Sequence, residues 1–207
     1  MRSNVLQLPF CGKSNSKAPV RRPKNADVRS REYLTLDEVK RLRDAAKSAG
    51  RHGQRDYMLI LVAYRHALRV SELVNLKWDQ INFEEATIHI NRSKNGKPSV
   101  QPIEGDELRA LRELRRAYPG SAFVFSSERK GPLSRFTVND IIERAGKLAK
   151  ITFQVHPHML RHSKGFSLAN AGHDTRAIQD YLGHKNISHT VRYTELAPNR
   201  LKGLGGD

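Results

Sequence analysis

Six side chains, scattered over 125 positions, have the types that phosphoryl chemistry needs. Tyr193 stands in YLGHKNISHTVRYT, with His184 nine residues before it. Upstream, HPHMLRHS carries His158 and Arg161 three apart. Further up lie Arg69 in HALRVSEL and Lys94 in RSKNGKPSV. A phenol is a nucleophile once cations or a base activate it, because its ordinary pKa is near 10. Attack on a phosphodiester spreads charge over the non-bridging oxygens. The planar guanidinium matches that geometry, donates two parallel hydrogen bonds and stays charged. Two arginines from different segments, Arg69 and Arg161, can clamp both oxygens. Losing one preorganised donor of this kind costs about 3 kcal/mol in barrier. Together the six suit attack by a phenol on a DNA phosphodiester, with cations in place of a metal.

Competing nucleophiles are Tyr181 and Tyr64. Tyr181 falls on an apolar stretch with Ile178 and Leu182, so it reads as core. Tyr193 lies among His189, Arg192, Thr194 and Glu195, which predicts an accessible phenol. Glu72 follows Arg69 by three; it either holds the guanidinium or serves as a helix-capping acid, and the sequence leaves both open. The series His156-x-His158-x3-His162 invites a zinc reading. Arg161 in the same cluster and the lack of a cysteine or carboxylate in the motif argue against a metal.

The elements that must carry these residues are mostly helical. Thr35-Leu-Asp-Glu38 is a capping box, and Leu36, Val39 and Leu42 follow at helical spacing. A second helix over 54–65 contains Tyr57-Met-Leu-Ile-Leu-Val-Ala63, apolar on every side, and so is the buried central one. A third starts near Val70. Then Ala86–Ile90 alternates as a strand, Asn95-Gly96 signals a hairpin turn, and Ser99–Ile103 returns. Lys94 sits just before that turn and is preferred over Lys97 as the reactive lysine. Helices follow at 105–117 and 137–149, with a short strand Phe123-Val-Phe125 between them. Helices at 158–171, 174–182 and 187–194 close the chain, with Gly172 and Gly183 as stops. The fold class is α+β: mostly helical with one small antiparallel sheet.

The motifs HALRVSEL, SKNGK, HPHMLRH, LGH and Tyr193, in this order and spacing, resemble the tyrosine recombinases, or phage-type integrases. The resemblance covers residues 33 to 195, that family's catalytic domain. The stretch from His156 to Thr194 looks most like the short, single-domain recombinases that invert the fimbrial phase-variation switch. The resemblance implies that Tyr193 forms a 3′-phosphotyrosyl link and Lys94 is the general acid for the leaving 5′ oxygen. His158 helps to move the nucleophile's proton, His184 hydrogen-bonds a phosphate oxygen, and His162 supports the site. Neither ATP nor a metal is required. The family usually has glycine two residues before the first arginine; here it is Ala67. Larger members carry an additional helical domain ahead of the catalytic one. The 34 residues before Thr35 are too few for it. A homotetramer on double-stranded DNA is expected, with accessory DNA-bending proteins as possible helpers. Pro198 and three glycines limit any C-terminal exchange helix to a short one.

Composition agrees with a polyanion partner. Lys+Arg number 37 against 21 acids, a formal net charge of +16 with a pI near 10.3. That favours nucleic acid. No basic amphipathic helix points to a membrane surface, and no apolar run is long enough to span one. A single cysteine, Cys11, excludes an internal disulfide framework and fits a reducing cytoplasm, beside the nucleoid. Residues 1–31 hold eight Lys/Arg and one acid, and read as a flexible basic arm. The catalytic domain is 32–196 and a short tail is 197–207. Arg92, Lys97, Lys164 and Lys185 flank the site and are expected to grip phosphates. The alternatives to a site-specific recombinase are a type IB topoisomerase, which swivels one cut strand, and a DNA-binding regulator that no longer cuts. RNA binding is disfavoured, because no aromatic stacking platform is evident.

Overall fold

The computed structural model describes residues 31–93 and 96–195. Helix α1 (Leu36–Ser48) opens on the expected capping box: the Thr35 hydroxyl accepts from Glu38 N–H, and the Glu38 carboxylate accepts from Thr35 N–H. Its Val39, Leu42 and Ala46 face inward onto α2 (Gly53–Arg65). Met58 to Ala63 of α2 are all buried, so this is the central helix. It packs against α1, against α4 (Gly105–Ala117) and against α6 (Pro157–Asn170). Burial on every side leaves no polar face to expose, as the continuous apolar run requires.

Helix α3 (Val70–Val74) is short, and a 3₁₀ turn (Trp78–Gln80) leads into the sheet. Strands β1 (Ile81–Asn82), β2 (Thr87–Ile90) and β3 (Ser99–Pro102) pair antiparallel in that order. Ile88 pairs with Ile81 on one side and Gln101 on the other. Ile88 and Ile90 are buried while His89 is exposed, the alternation that places one face on the core. β1 and the 3₁₀ turn were not anticipated; two or three residues are too few to show a period. Phe123–Phe125 is not a strand: it makes one isolated bridge, Phe123 to Lys77, and Val124 N–H donates to Leu76. Its apolarity comes from burial of Val124 and Phe125, not from sheet pairing.

Helices α5 (Arg135–Leu148), α6, α7 (Thr175–Leu182) and α8 (Ser188–Glu195) complete the chain. Gly172 (φ +81°) and Gly183 (φ +64°) take the left-handed conformation that ends α6 and α7. Two apolar clusters result. The larger lies around α2. The smaller comprises Ala67, Phe166, Ala169, Ile178, Leu182 and Tyr193. The expected hairpin tip at Lys94 and Asn95, the arm 1–31 and the tail 197–207 lie outside the described residues, apart from Arg31.

Candidate active site

Helix α6 presents Arg161, His162, Lys164 and Gly165 toward the loop after α2 and toward α7 and α8. Arg161 is 1% exposed, and its two terminal nitrogens donate to Ala67 O and Leu182 O, each at 2.6 Å. One guanidinium thereby joins the loop before α3 to the end of α7. Burial, then the charges of Arg69 and Arg92, pull its pKa down to about 9. It remains charged at neutral pH. Ala67 holds its carbonyl in place from a left-handed conformation (φ +50°). A side chain there costs about 1 to 2 kcal/mol, which is why a glycine suits this position.

Arg69 precedes α3, and Glu72 resolves the open choice by doing both jobs. Its carboxylate accepts from Arg69 N–H at 3.0 Å, as an N3 cap, and from the Arg69 guanidinium at 2.7 Å. Burial alone would raise its pKa. The Arg69 backbone bond, the Arg92 charge and the Arg69 side chain hold it below the usual carboxylate range instead. Arg92 is not a surface phosphate grip. Its side chain is wholly buried, ion-paired to Glu72 at 3.0 Å and donating to His66, Ala67 and Tyr181 carbonyls. The sequence shows only an arginine beside a turn; its burial follows from Glu72, which lies 20 positions away. Gly183 makes room for it, since a Cβ there would stand 2.7 Å from Arg92 Cγ.

Tyr193 is 1% exposed, contrary to the accessible phenol expected from its polar neighbours. On α8, Thr190 and Tyr193 share the inward face, three residues apart. Arg192, Glu195 and His189 point outward. The ring lies over Gly165, whose added Cβ would meet it at 3.0 Å, and stands edge-on to Phe166 with centroids 5.1 Å apart. Its hydroxyl is 2.6 Å from His162 Nδ1. Burial raises the phenol's pKa, and Arg161, Arg192 and Arg69 oppose the rise. A glycine inside a helix is the signal in the sequence that something approaches closely.

His158 packs edge-on to His162 with centroids 4.4 Å apart. His184 lies nearly parallel to the Tyr193 ring at 6.3 Å, and its Nδ1 is 2.9 Å from the Thr190 hydroxyl. Desolvation lowers all three imidazoles: His158 to about 4 with Arg161 adding to it, His162 and His184 to about 3. Nearby cations of the same site reinforce each shift. The phenol's partner is thus His162, which was expected only to support the site. His156 stands at the N-cap position of α6 without a side-chain capping bond, and lies 3.7 Å from the Glu32 carboxylate. Among the described residues no three His, Cys, Asp or Glu side chains are grouped to hold a metal ion.

The other tyrosines have other partners. The Tyr181 hydroxyl donates to Arg65 O, and burial pushes its pKa to about 12. Lys164 lies over the rings of Tyr64 and Tyr181, at 5.8 and 5.6 Å. Lys97 is exposed and 3.7 Å from Asp180, and Lys185 is exposed. A groove beside the site is lined by Arg69, Ser71, Arg135, Asn139, His156 and His158. Arg135 and Asn139 were not anticipated. They lie at the start of α5, whose exposed face also bears Phe136, 80% exposed.

This helical domain, with a buried arginine bound to two carbonyls and a tyrosine against a histidine, is that of the phage integrase family, which residues 32–200 match. The chain belongs to that family. It is 42% identical over 184 residues to the type 1 fimbriae regulatory protein FimB of Escherichia coli (strain K12), covering 86% of this chain and 92% of FimB. It is 46% identical over 180 residues to FimE of the same strain, covering 84% and 90%. The crystal structure of XerA recombinase superposes with a TM-score of 0.71 at 31% identity, over 83% of this chain and 63% of XerA. A lambda integrase dimer bound to a COC′ core site gives 0.64 at 25%, over 84% and 49%. The chain therefore spans nearly all of FimB and FimE but under two thirds of either of these solved chains. Among the described residues no helix is long and apolar enough to cross a membrane.

Proposed function

We propose that this protein is a site-specific tyrosine recombinase that cuts and rejoins double-stranded DNA. The observation that carries the reading is the convergence of Arg69, Arg161, His184 and the His162-bound phenol of Tyr193 from four separate segments. In this reading a DNA phosphate enters between Arg69 and Arg161. Its negative charge raises the depressed imidazole pKa values back toward their ordinary range. The Tyr193 oxygen attacks phosphorus, the phenolic proton passes to His162, and the bond to the 5′ oxygen breaks. Lys94, by the family resemblance, supplies the proton that the leaving oxygen takes up. His158 acts on the same proton path through its contact with His162, and His184 steadies a phosphate oxygen. A 5′ hydroxyl from a second strand reverses the steps and reseals the backbone. Bond energy is conserved in the phosphotyrosyl link, so the exchange consumes no ATP.

Exchange between two sites requires several subunits, and we propose a homotetramer assembled on DNA. DNA-bending helpers and a place at the nucleoid in the cytoplasm fit the same reading. The alternatives are single-strand swivelling and binding without cleavage. A plasmid carrying two copies of the target, incubated without metal or nucleotide, separates them. Inverted, excised or joined products support the recombinase. Relaxed circles alone point to a topoisomerase, and bound but uncut circles to a regulator.

A further inference from the structure

Away from the site, the C-terminal half of α4 carries Arg112, Arg115 and Arg116 around the ring of Phe83, which together line a shallow hollow. Helix α4 runs antiparallel to α2. Asp106 at its start pairs with Arg65 at 2.7 Å, and Tyr118 just past its end meets His52 at 2.8 Å. The active-site loop follows Arg65. Arg115, nine positions along from Asp106, is therefore about 14 Å further from that end of the molecule. All three arginines are exposed, and two of them are steadied by aromatic rings. Arg112 and Arg115 lie over the Phe83 ring at 5.8 and 5.5 Å, and Arg115 also lies over Trp78 at 5.9 Å. Arg112 donates to Phe83 O at 3.1 Å. Exposed carboxylates are close in sequence (Glu84, Glu85 and Glu113), yet none of the three arginines forms an ion pair among the described residues. A guanidinium stacked on a ring is held in place while its N–H edge stays available for phosphate.

We propose that this ridge is a second binding surface for duplex DNA, taking phosphates of the segment that flanks the cleaved site. The inference rests on the reading that the chain acts on DNA. Three neighbouring cations within about one helical turn, on a chain of net charge +16, match the dense charge of a duplex better than an isolated acidic side chain. A flanking segment that curves back would meet this ridge while the site holds the core.

The test uses the full chain and a triple variant, Arg112→Gln, Arg115→Gln and Arg116→Gln, with a triple Arg→Lys variant and thermal melts to establish folding. Affinity is measured on a short nicked duplex covering only the cleavage region and on one extended by about three helical turns each side. The same short duplex reports covalent adduct. The expected result is unchanged adduct formation and unchanged short-duplex affinity for the Gln variant. Its affinity for the long duplex falls about tenfold or more, and its salt slope is shallower by about 2 to 3. The Lys variant keeps most of the long-duplex affinity. Equal long-duplex affinity in wild type and Gln variant overturns the ridge and leaves it to an acidic protein partner. Equal weakening on both duplexes overturns it as a flanking surface. Absence of adduct in the wild type, with the long-duplex loss intact, fails the cleavage reading and leaves the ridge standing.

Discussion

The hydroxyl of Tyr193 lies 2.6 Å from Nδ1 of His162, and the same ring rests directly on Gly165, three residues further along α6. One helix thus supplies both the hydrogen-bond partner and the seat of this tyrosine. The phenol is held inside the protein before DNA arrives.

That seat predicts a change of sign. Glycine within a helix is worth about 1 kcal/mol less than alanine, so Gly165→Ala would ordinarily stabilise. Here the new methyl meets the Tyr193 ring, and overpacking costs about 1 to 3 kcal/mol. Gly165→Ala is expected to destabilise the wild type and to stabilise a Tyr193→Ala background. Urea melts of the four proteins measure this coupling directly. Equal effects in both backgrounds would mean that the ring does not occupy the seat.

Arg92 and Lys185 look interchangeable in sequence as basic residues beside the site, and the structure separates them. Arg92→Ala leaves the Glu72 carboxylate buried with one partner fewer, and is expected to cost about 3 to 5 kcal/mol of stability. Lys185→Ala, at an exposed position, should stay within about 0.5 kcal/mol and lose only salt-dependent DNA affinity. Chemical denaturation beside a binding titration distinguishes the two. A stable Arg92→Ala protein with weakened DNA binding would restore the phosphate-grip reading.

Acid should weaken the fold through the site histidines. His162 and His184 titrate near 3 in the folded chain and near 6.5 unfolded. Between those values the unfolded chain takes up protons that the folded chain refuses. The stability from keeping the rings neutral is complete above about pH 6.5 and is lost as pH falls toward 3. Each ring contributes a slope of at most about 1.4 kcal/mol per pH unit, reduced because both keep some contact with water. Unfolding free energies at pH 7 and pH 5 should therefore converge in His162→Gln relative to wild type. Parallel slopes would show that His162 is not held neutral by its surroundings.

Arg135 and Asn139 carry a prediction about specificity. They line the groove beside Arg69 and His158, and arginine and asparagine are the side chains that read guanine and adenine edges. Arg135→Ala should relax sequence preference at one base pair by about 1 to 3 kcal/mol. Selection from a randomised target library would show it. A uniform loss of affinity across all targets would make Arg135 a phosphate contact.

Much of this was legible in the residues themselves, for identifiable reasons. The Thr35 capping box and the all-apolar Met58–Ala63 run are local signals, and each became the element expected. So did Gly183, whose left-handed conformation only glycine adopts freely. The grouping of Arg69, His158, Arg161, His184 and Tyr193 was legible because the proposed phosphoryl chemistry restricts residue types, while Lys94 lies outside the described residues. The site's geometry was not. Whether Tyr193 is covered depends on which face of α8 meets α6, and a polar neighbourhood in sequence says nothing of that. The inward role of Arg92 depends on Glu72 and Tyr181, 20 and 89 positions away. Sequence alone makes His162 a supporter, because its bond to the phenol spans 31 residues. Gly165 is a local clue to this contact: a helix interior tolerates glycine where another ring must lie close.

The central claim is that Tyr193 cuts DNA through a covalent bond to phosphate. The most direct test incubates the protein, without metal, with a target duplex nicked near the cleavage point so that the cut strand diffuses away. Denaturing gels then resolve protein–DNA adducts, and peptide mass spectrometry locates the linkage. The account predicts an adduct on the peptide containing Tyr193, absent in Tyr193→Phe and strongly reduced in Arg161→Ala. An adduct that persists in Tyr193→Phe, or tight binding to the cleaved target with no adduct at all, would contradict it.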